Sequence, residues 1–190
     1  MVWNLPMLLT WLRIVSIPLV CILVVLGRVH PAGIEDVAAG ILFGIAAITD
    51  SLDGYLARRL GQTTKLGAFL DPVADKLIVA VALVLLVSRD PRRLVVLMAV
   101  VIIGREIAIS ALREWMAELG QRTKVAVSAL GKYKTIMQMV GLSLMLYRRS
   151  EFGIPVYTLG LWLTVLAALL TLVSMAIYLR AALPYMRERN

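Results

Sequence analysis

Apolar runs separated by short polar breaks divide the chain into six segments, about 8–27, 37–60, 66–88, 92–118, 125–147 and 153–182. Glycine, proline or charge punctuates each break: Arg28–Asp36 with Pro31 and Gly33, Gly61–Lys65, Arg89–Arg93 with Pro91, Leu119–Lys124 and Arg148–Gly153. A helix that crosses a bilayer needs about 20 residues. The pattern therefore predicts an all-α integral membrane fold, a six-transmembrane-helix bundle forming one domain over residues 1–190.

Only the last segment is an ordinary span, uncharged from Phe152 to Leu179. Between Asp36 and Asp50 lie 13 uncharged residues, and between Lys76 and Arg89 only 12, so charge-bearing stretches must complete helices two and three. Arg13 opens helix one, Arg105, Glu106 and Arg113 fall in the second half of helix four, and Lys132 and Lys134 in the first half of helix five. Successive spans run in opposite directions, so these polar halves converge at one membrane face. A charge at mid-span costs roughly 2.5–3.5 kcal/mol on insertion scales. The charges should therefore face inward, around a polar cavity open to one side. More lysine and arginine falls on the side of the N-terminus than on the other, which puts the cavity at the cytoplasmic face.

Composition narrows the choice. With 61% hydrophobic residues in 190 and a mean hydropathy of +0.87, the chain is too apolar for a soluble domain. Its net charge of +8 then argues for topology signals and anionic lipid or phosphate ligands, and against nucleic acid. The single Cys21 excludes a disulfide framework or a cysteine metal cluster. Arg13 precedes an apolar run, but the basic region is weak and no cleavage site follows, so the first helix is expected to be retained.

The stretch Asp50–Asp75 reads DSLDGYLARRLGQTTKLGAFLDPVAD. Asp50 and Asp53 share a helical face, as do Asp71 and Asp75. Gly54 and Ala57 continue the first stripe and Gly67 the second, leaving room for a phosphate to approach. A tight turn at Gly61 would bring the two helices together. Four carboxylates so close stay ionised only with cations between them, and oxygen ligands without His or Cys select Mg²⁺ or Mn²⁺, with room for two ions. Structural bridges to Arg58, Arg59, Lys65 and Lys76, or an ion path, are the plainer alternatives. Either suits one aspartate better than four in paired register.

These residues carry the whole signature of the CDP-alcohol phosphatidyltransferase family, D-x2-D-G-x2-A-R-x8-G-x3-D-x3-D, at Asp50, Asp53, Gly54, Ala57, Arg58, Gly67, Asp71 and Asp75. Within it the chain most resembles the phosphatidylglycerophosphate synthase branch, through Asn4-Leu5-Pro6 with Thr10 and Arg13, Asp71–Lys76, Arg105-Glu106, Ser110–Glu118 and Val127–Thr135. The resemblance implies transfer of a phosphatidyl group from CDP-diacylglycerol to sn-glycerol 3-phosphate, with CMP released. It implies that Asp50, Asp53 and Asp71 ligate metal, and that Asp75 is shared between a second metal and general-base duty. Gly54, Ala57, Arg58, Thr64 and Thr10 would contact the CDP-lipid. A homodimer in a bacterial-type inner membrane is likewise implied.

A dianionic acceptor requires a second, cationic pocket. Arg105, buried mid-helix, is the leading candidate, with Arg113, Lys132 and Lys134 nearer the interface. Pairing of Arg105 with Glu106 and snorkelling of the lysines to head groups are the plainer readings. His30 is expected in a far-side loop, Trp3 and Trp115 at the membrane interface, and the methionines in packing. The competing functions are the same family with serine, inositol phosphate or another alcohol as acceptor, and a cation transporter with an intramembrane acidic site. An aspartate-motif prenyltransferase fits the spacing poorly.

Overall fold

The computed structural model describes residues 5–29, 33–60, 65–118, 129–150 and 153–187; the side chains of 5–6, 51–60, 65, 68, 129–132, 181–182 and 184–187 lie outside the description. The fold is all-α, with six helices: α1 (Leu5–Leu26), α2 (Ile34–Leu60), α3 (Lys65–Arg89), α4 (Arg93–Glu118), α5 (Ala129–Tyr147) and α6 (Val156–Arg187). Their bounds follow the expected breaks to within a few residues. The expected start of helix five at 125, and His30, lie outside the described residues.

Three helices are long and apolar enough to cross a membrane: Met7–Leu26, Arg93–Glu118 and Val156–Arg180. Their outward faces are apolar. On α1, Leu8, Leu12, Val15, Leu19 and Ile22 form an exposed stripe at helical spacing. Such a surface belongs in lipid, and the chain is a membrane protein.

The helices close into a ring: α1 packs on α2 and α3, α2 on α5, α5 on α6, α6 on α4, and α4 on α3, with α3 also touching α5. Inside the ring, Val24, Phe43, Leu83, Ile102, Leu142 and Met145 belong to one fully buried cluster. Missing Cβ atoms set two of the seams. A Cβ on Gly141 of α5 would stand 2.9 Å from the Gly160 carbonyl of α6, and one on Gly160 would stand 2.7 Å from the Gly141 carbonyl. Small residues thus let these two backbones touch. Gly40 similarly admits the backbone of Tyr147, and the Ser143 hydroxyl donates to the Gly40 carbonyl at 2.7 Å.

One end of the ring is closed by polar pairs. Asp36, in the first turn of α2, and Arg89, in the last turn of α3, each complement their helix dipole and form a buried ion pair with each other. Arg89 also donates to the Gly27 carbonyl at 2.8 Å, and Arg28 to Ser88 Oγ at 2.8 Å. Asp90 pairs with Arg92 at 2.6 Å and accepts from the Tyr157 hydroxyl. The Arg148 guanidinium lies 5.1 Å from the centre of the Tyr157 ring.

Candidate active site

The opposite end of the ring is open and polar. Asp50 from α2 and Asp71 and Asp75 from α3 line one cavity of about 450 Å³ with Glu106, Ser110 and Arg113 from α4. Four residues separate Asp71 from Asp75, so one helical face presents both. Gly67, one turn earlier, is buried on the same stripe.

Helix α1 ties the two carboxylate helices. Arg13, wholly buried, pairs with Asp50 at 2.7 Å, and Thr10 Oγ1 donates to Asp71 Oδ1 at 2.6 Å. The hydroxyl of Thr10, a residue assigned to the CDP-lipid, thus sits on an aspartate of this cavity. The Arg13 partnership was not foreseen. Its signal was present, because a lone arginine in an apolar helix must find a carboxylate when buried, and Thr10 lies one turn away on the same face.

Asp75 is held differently. Its Oδ1 is buried and has no hydrogen-bond partner, although Asp50, Arg13 and Glu106 are all within electrostatic reach. A buried carboxylate oxygen without a donor is costly unless something else occupies the site.

Beside this cavity lies a second, of about 200 Å³, whose walls include Arg105, Arg113, Lys134, Gln138 and Tyr178. Asp75, Lys76, Glu106 and Arg113 line both. Arg105 is buried, as expected, and pairs with Glu106 at 2.5 Å, while its second terminal nitrogen lies 3.4 Å from Ser174 Oγ. Its Nε has no partner. Arg105 thus lines the cationic cavity and also makes the plainer pairing with Glu106.

Lys134 departs from expectation. It does not reach toward the interface; only 5% of it is exposed, and its Nζ has no hydrogen-bond partner. Gln138, one turn on, shares its face, and that stripe turns into the ring rather than out to lipid. Arg105, Glu106 and Arg113 lie within electrostatic reach of the ammonium. Arg113 is exposed at the cavity wall.

The side chains of Asp53, Gly54, Ala57, Arg58 and Lys132 lie outside the description, as does Thr64 altogether. Among the described residues no three His, Cys, Asp or Glu side chains form a complete metal-ligand set. The carboxylates and the Ser110 hydroxyl lining the carboxylate cavity offer only oxygen, beside the cations Lys76 and Arg113.

A third, apolar cleft of about 330 Å³ runs between α2 and α5, past Ile48, Met139, Val140 and Leu144, and ends at Asp50. Ile48, Ile136 and Val140 on its rim are exposed, so it opens toward the lipid-facing surface.

A family model described as CDP-alcohol phosphatidyltransferase matches residues 3–180. Proteins from Shigella flexneri serotype 5b (strain 8401) and from Escherichia coli (strain K12) are each 50% identical to the chain over 182 residues, which is 96% of this chain and 96% of theirs. Both carry the name CDP-diacylglycerol–glycerol-3-phosphate 3-phosphatidyltransferase.

Proposed function

The chain belongs to the CDP-alcohol phosphatidyltransferase family, and we propose that it transfers the phosphatidyl group of CDP-diacylglycerol to sn-glycerol 3-phosphate, giving phosphatidylglycerophosphate and CMP. The observation that carries this reading is the sharing of Asp75 between a carboxylate cavity and a cationic one. A diphosphate donor suits the first and a phosphorylated acceptor the second, with one carboxylate at the boundary where they would react.

The donor set fits hard divalent cations, Mg²⁺ or Mn²⁺, because Asp50, Asp71 and Asp75 offer only oxygen. Asp53 would join them, with Asp75 shared between a second ion and the general base's task. When bound, such ions neutralise charge on the diphosphate and on departing CMP. Arg58, Gly54, Ala57 and Thr64 are assigned to the CDP-lipid. Thr10 and Arg13 orient Asp71 and Asp50 beside it. The apolar cleft ending at Asp50 suits an acyl chain whose head group reaches the carboxylates.

In the reaction, the primary hydroxyl of the acceptor attacks the lipid-linked phosphorus. A new phosphorus–oxygen bond forms, the bond to CMP breaks with its electrons leaving on CMP, and the hydroxyl proton passes to Asp75. The unpartnered Oδ1 suits that task, since no donor competes for its lone pairs. Arg105, Arg113, Lys134 and Lys132 would hold the acceptor phosphate.

The whole chain is one domain, and all six helices span the bilayer, α2, α3 and α5 shielding their charges inside the ring. The cavities open to the cytoplasmic face of a bacterial inner membrane, and the protein is a homodimer. CMP release from CDP-diacylglycerol, measured with glycerol phosphate, inositol phosphate and serine and with or without Mg²⁺ or Mn²⁺, tests the reading. Release only with an acceptor other than glycerol phosphate would overturn it, and release independent of divalent ions would remove the metal assignment.

A further inference from the structure

Glu106 has no part in the chemistry above, yet its position is distinctive. It lines both the carboxylate cavity and the cationic cavity. Its charge is felt by Asp75 on one side and by Lys134 on the other. The side chain keeps 26% exposure while Arg105 holds it. Among the described residues, it and Asp75 are the two carboxylates common to both walls.

An acceptor whose phosphate lies among Arg105, Arg113 and Lys134, and whose attacking hydroxyl lies at Asp75, must span that junction. In glycerol phosphate the carbon between those two ends bears a further hydroxyl. Buried in a cavity, that hydroxyl needs an acceptor for its hydrogen or costs the desolvation of a polar group.

Resting on the proposed function, we infer that Glu106 accepts a hydrogen bond from the middle hydroxyl of the acceptor and so selects glycerol phosphate over phosphorylated alcohols that lack it. Arg105 then serves twice, drawing the phosphate and fixing the carboxylate that reads the neighbouring carbon. The middle carbon is also the stereocentre, so a partner for its hydroxyl selects the hand of the substrate. Sites built to bond a substrate hydroxyl discriminate strongly against analogues lacking it, because their own polar group is left unpaired.

The test compares sn-glycerol 3-phosphate with 3-hydroxypropyl phosphate, which keeps the phosphate and the attacking hydroxyl and lacks only the middle one. Both are assayed by CMP release from CDP-diacylglycerol in detergent micelles. The wild-type enzyme should favour glycerol phosphate in kcat/KM by roughly tenfold to a hundredfold, the range of a charge-assisted hydrogen bond. Glu106→Ala should bring the ratio close to one, chiefly by slowing the reaction of glycerol phosphate. Glu106→Gln, which keeps the shape and one acceptor oxygen without the charge, should fall between and serves if the alanine variant does not fold. An unchanged ratio in either folded variant, with both acceptors slowed alike, would overturn the inference and leave Glu106 as a prop for Arg105. A wild-type enzyme that turns over neither phosphate would instead remove the reading on which this one rests.

Discussion

The two ends of the helix ring treat charge differently. At the closed end, the buried Asp36 meets Arg89, and nearer the surface Arg28 meets Ser88 and Asp90 meets Arg92 and Tyr157. Arg148, one terminal nitrogen of which lacks a hydrogen bond, lies over the Tyr157 ring. At the open end, Asp75 Oδ1, Arg105 Nε, Ser110 Oγ and Lys134 Nζ are buried without hydrogen-bond partners. Polar groups in a low-dielectric interior are ordinarily satisfied. The contrast separates charges that hold the fold from charges kept ready for a ligand, and only the second kind should matter to turnover.

The sharpest way to break this comparison is at Asp75. Asp75→Asn should lower kcat by roughly a hundredfold to ten-thousandfold, the contribution of a general base, while CDP-lipid binding persists. Near-normal turnover would take the base role from Asp75. At the closed end, Asp36→Asn leaves Arg89 buried against a neutral group and should cost roughly 3–5 kcal/mol of stability. That loss is read as a lower thermal midpoint in detergent, with the turnover of the folded fraction unchanged; a selective fall in turnover would erase the distinction between the ends.

Lys134→Met sharpens the contrast further, because it removes a buried charge that has no hydrogen-bond partner. Stability should hold or rise, while KM for glycerol phosphate should increase roughly tenfold for the loss of one charge-assisted contact. Destabilisation without a change in KM would make Lys134 structural. The smallest effect concerns Asp90, whose carboxyl is held down to about 2 by the hydrogen bond from Arg92 and, less, by that from Tyr157. A carboxyl lowered on folding adds stability that is full above its unfolded pKa of about 4 and is lost as pH falls through about 2. Acid unfolding of Asp90→Asn should lack that segment of the curve.

The helices were legible because their ends carry charge, proline or glycine, as at Asp90-Pro91 and Arg148. The carboxylate cavity was legible because the i, i+4 spacing of Asp71 and Asp75 survives folding unchanged. What the sequence hid were relations between distant helices. Arg13 could be seen to need a carboxylate, but not that α1 would pack on both α2 and α3 and supply Thr10 to Asp71. Lys134 looked interfacial because lysines can snorkel. Its burial depends on the rotation of α5, set by packing on α2 and α3 and by the seam with α6.

That seam has a reach beyond its own atoms. Lys134, Gln138 and Gly141 share one face of α5, and Gly141 is pressed against the Gly160 carbonyl and Thr164 of α6. The contact works as a fulcrum. A single methyl there would tilt α5, and two turns away, about 10 Å along the axis, the ammonium of Lys134 would swing with it. The width of the cationic cavity is thus gauged from a distance, by a hydrogen atom where any other residue would carry carbon.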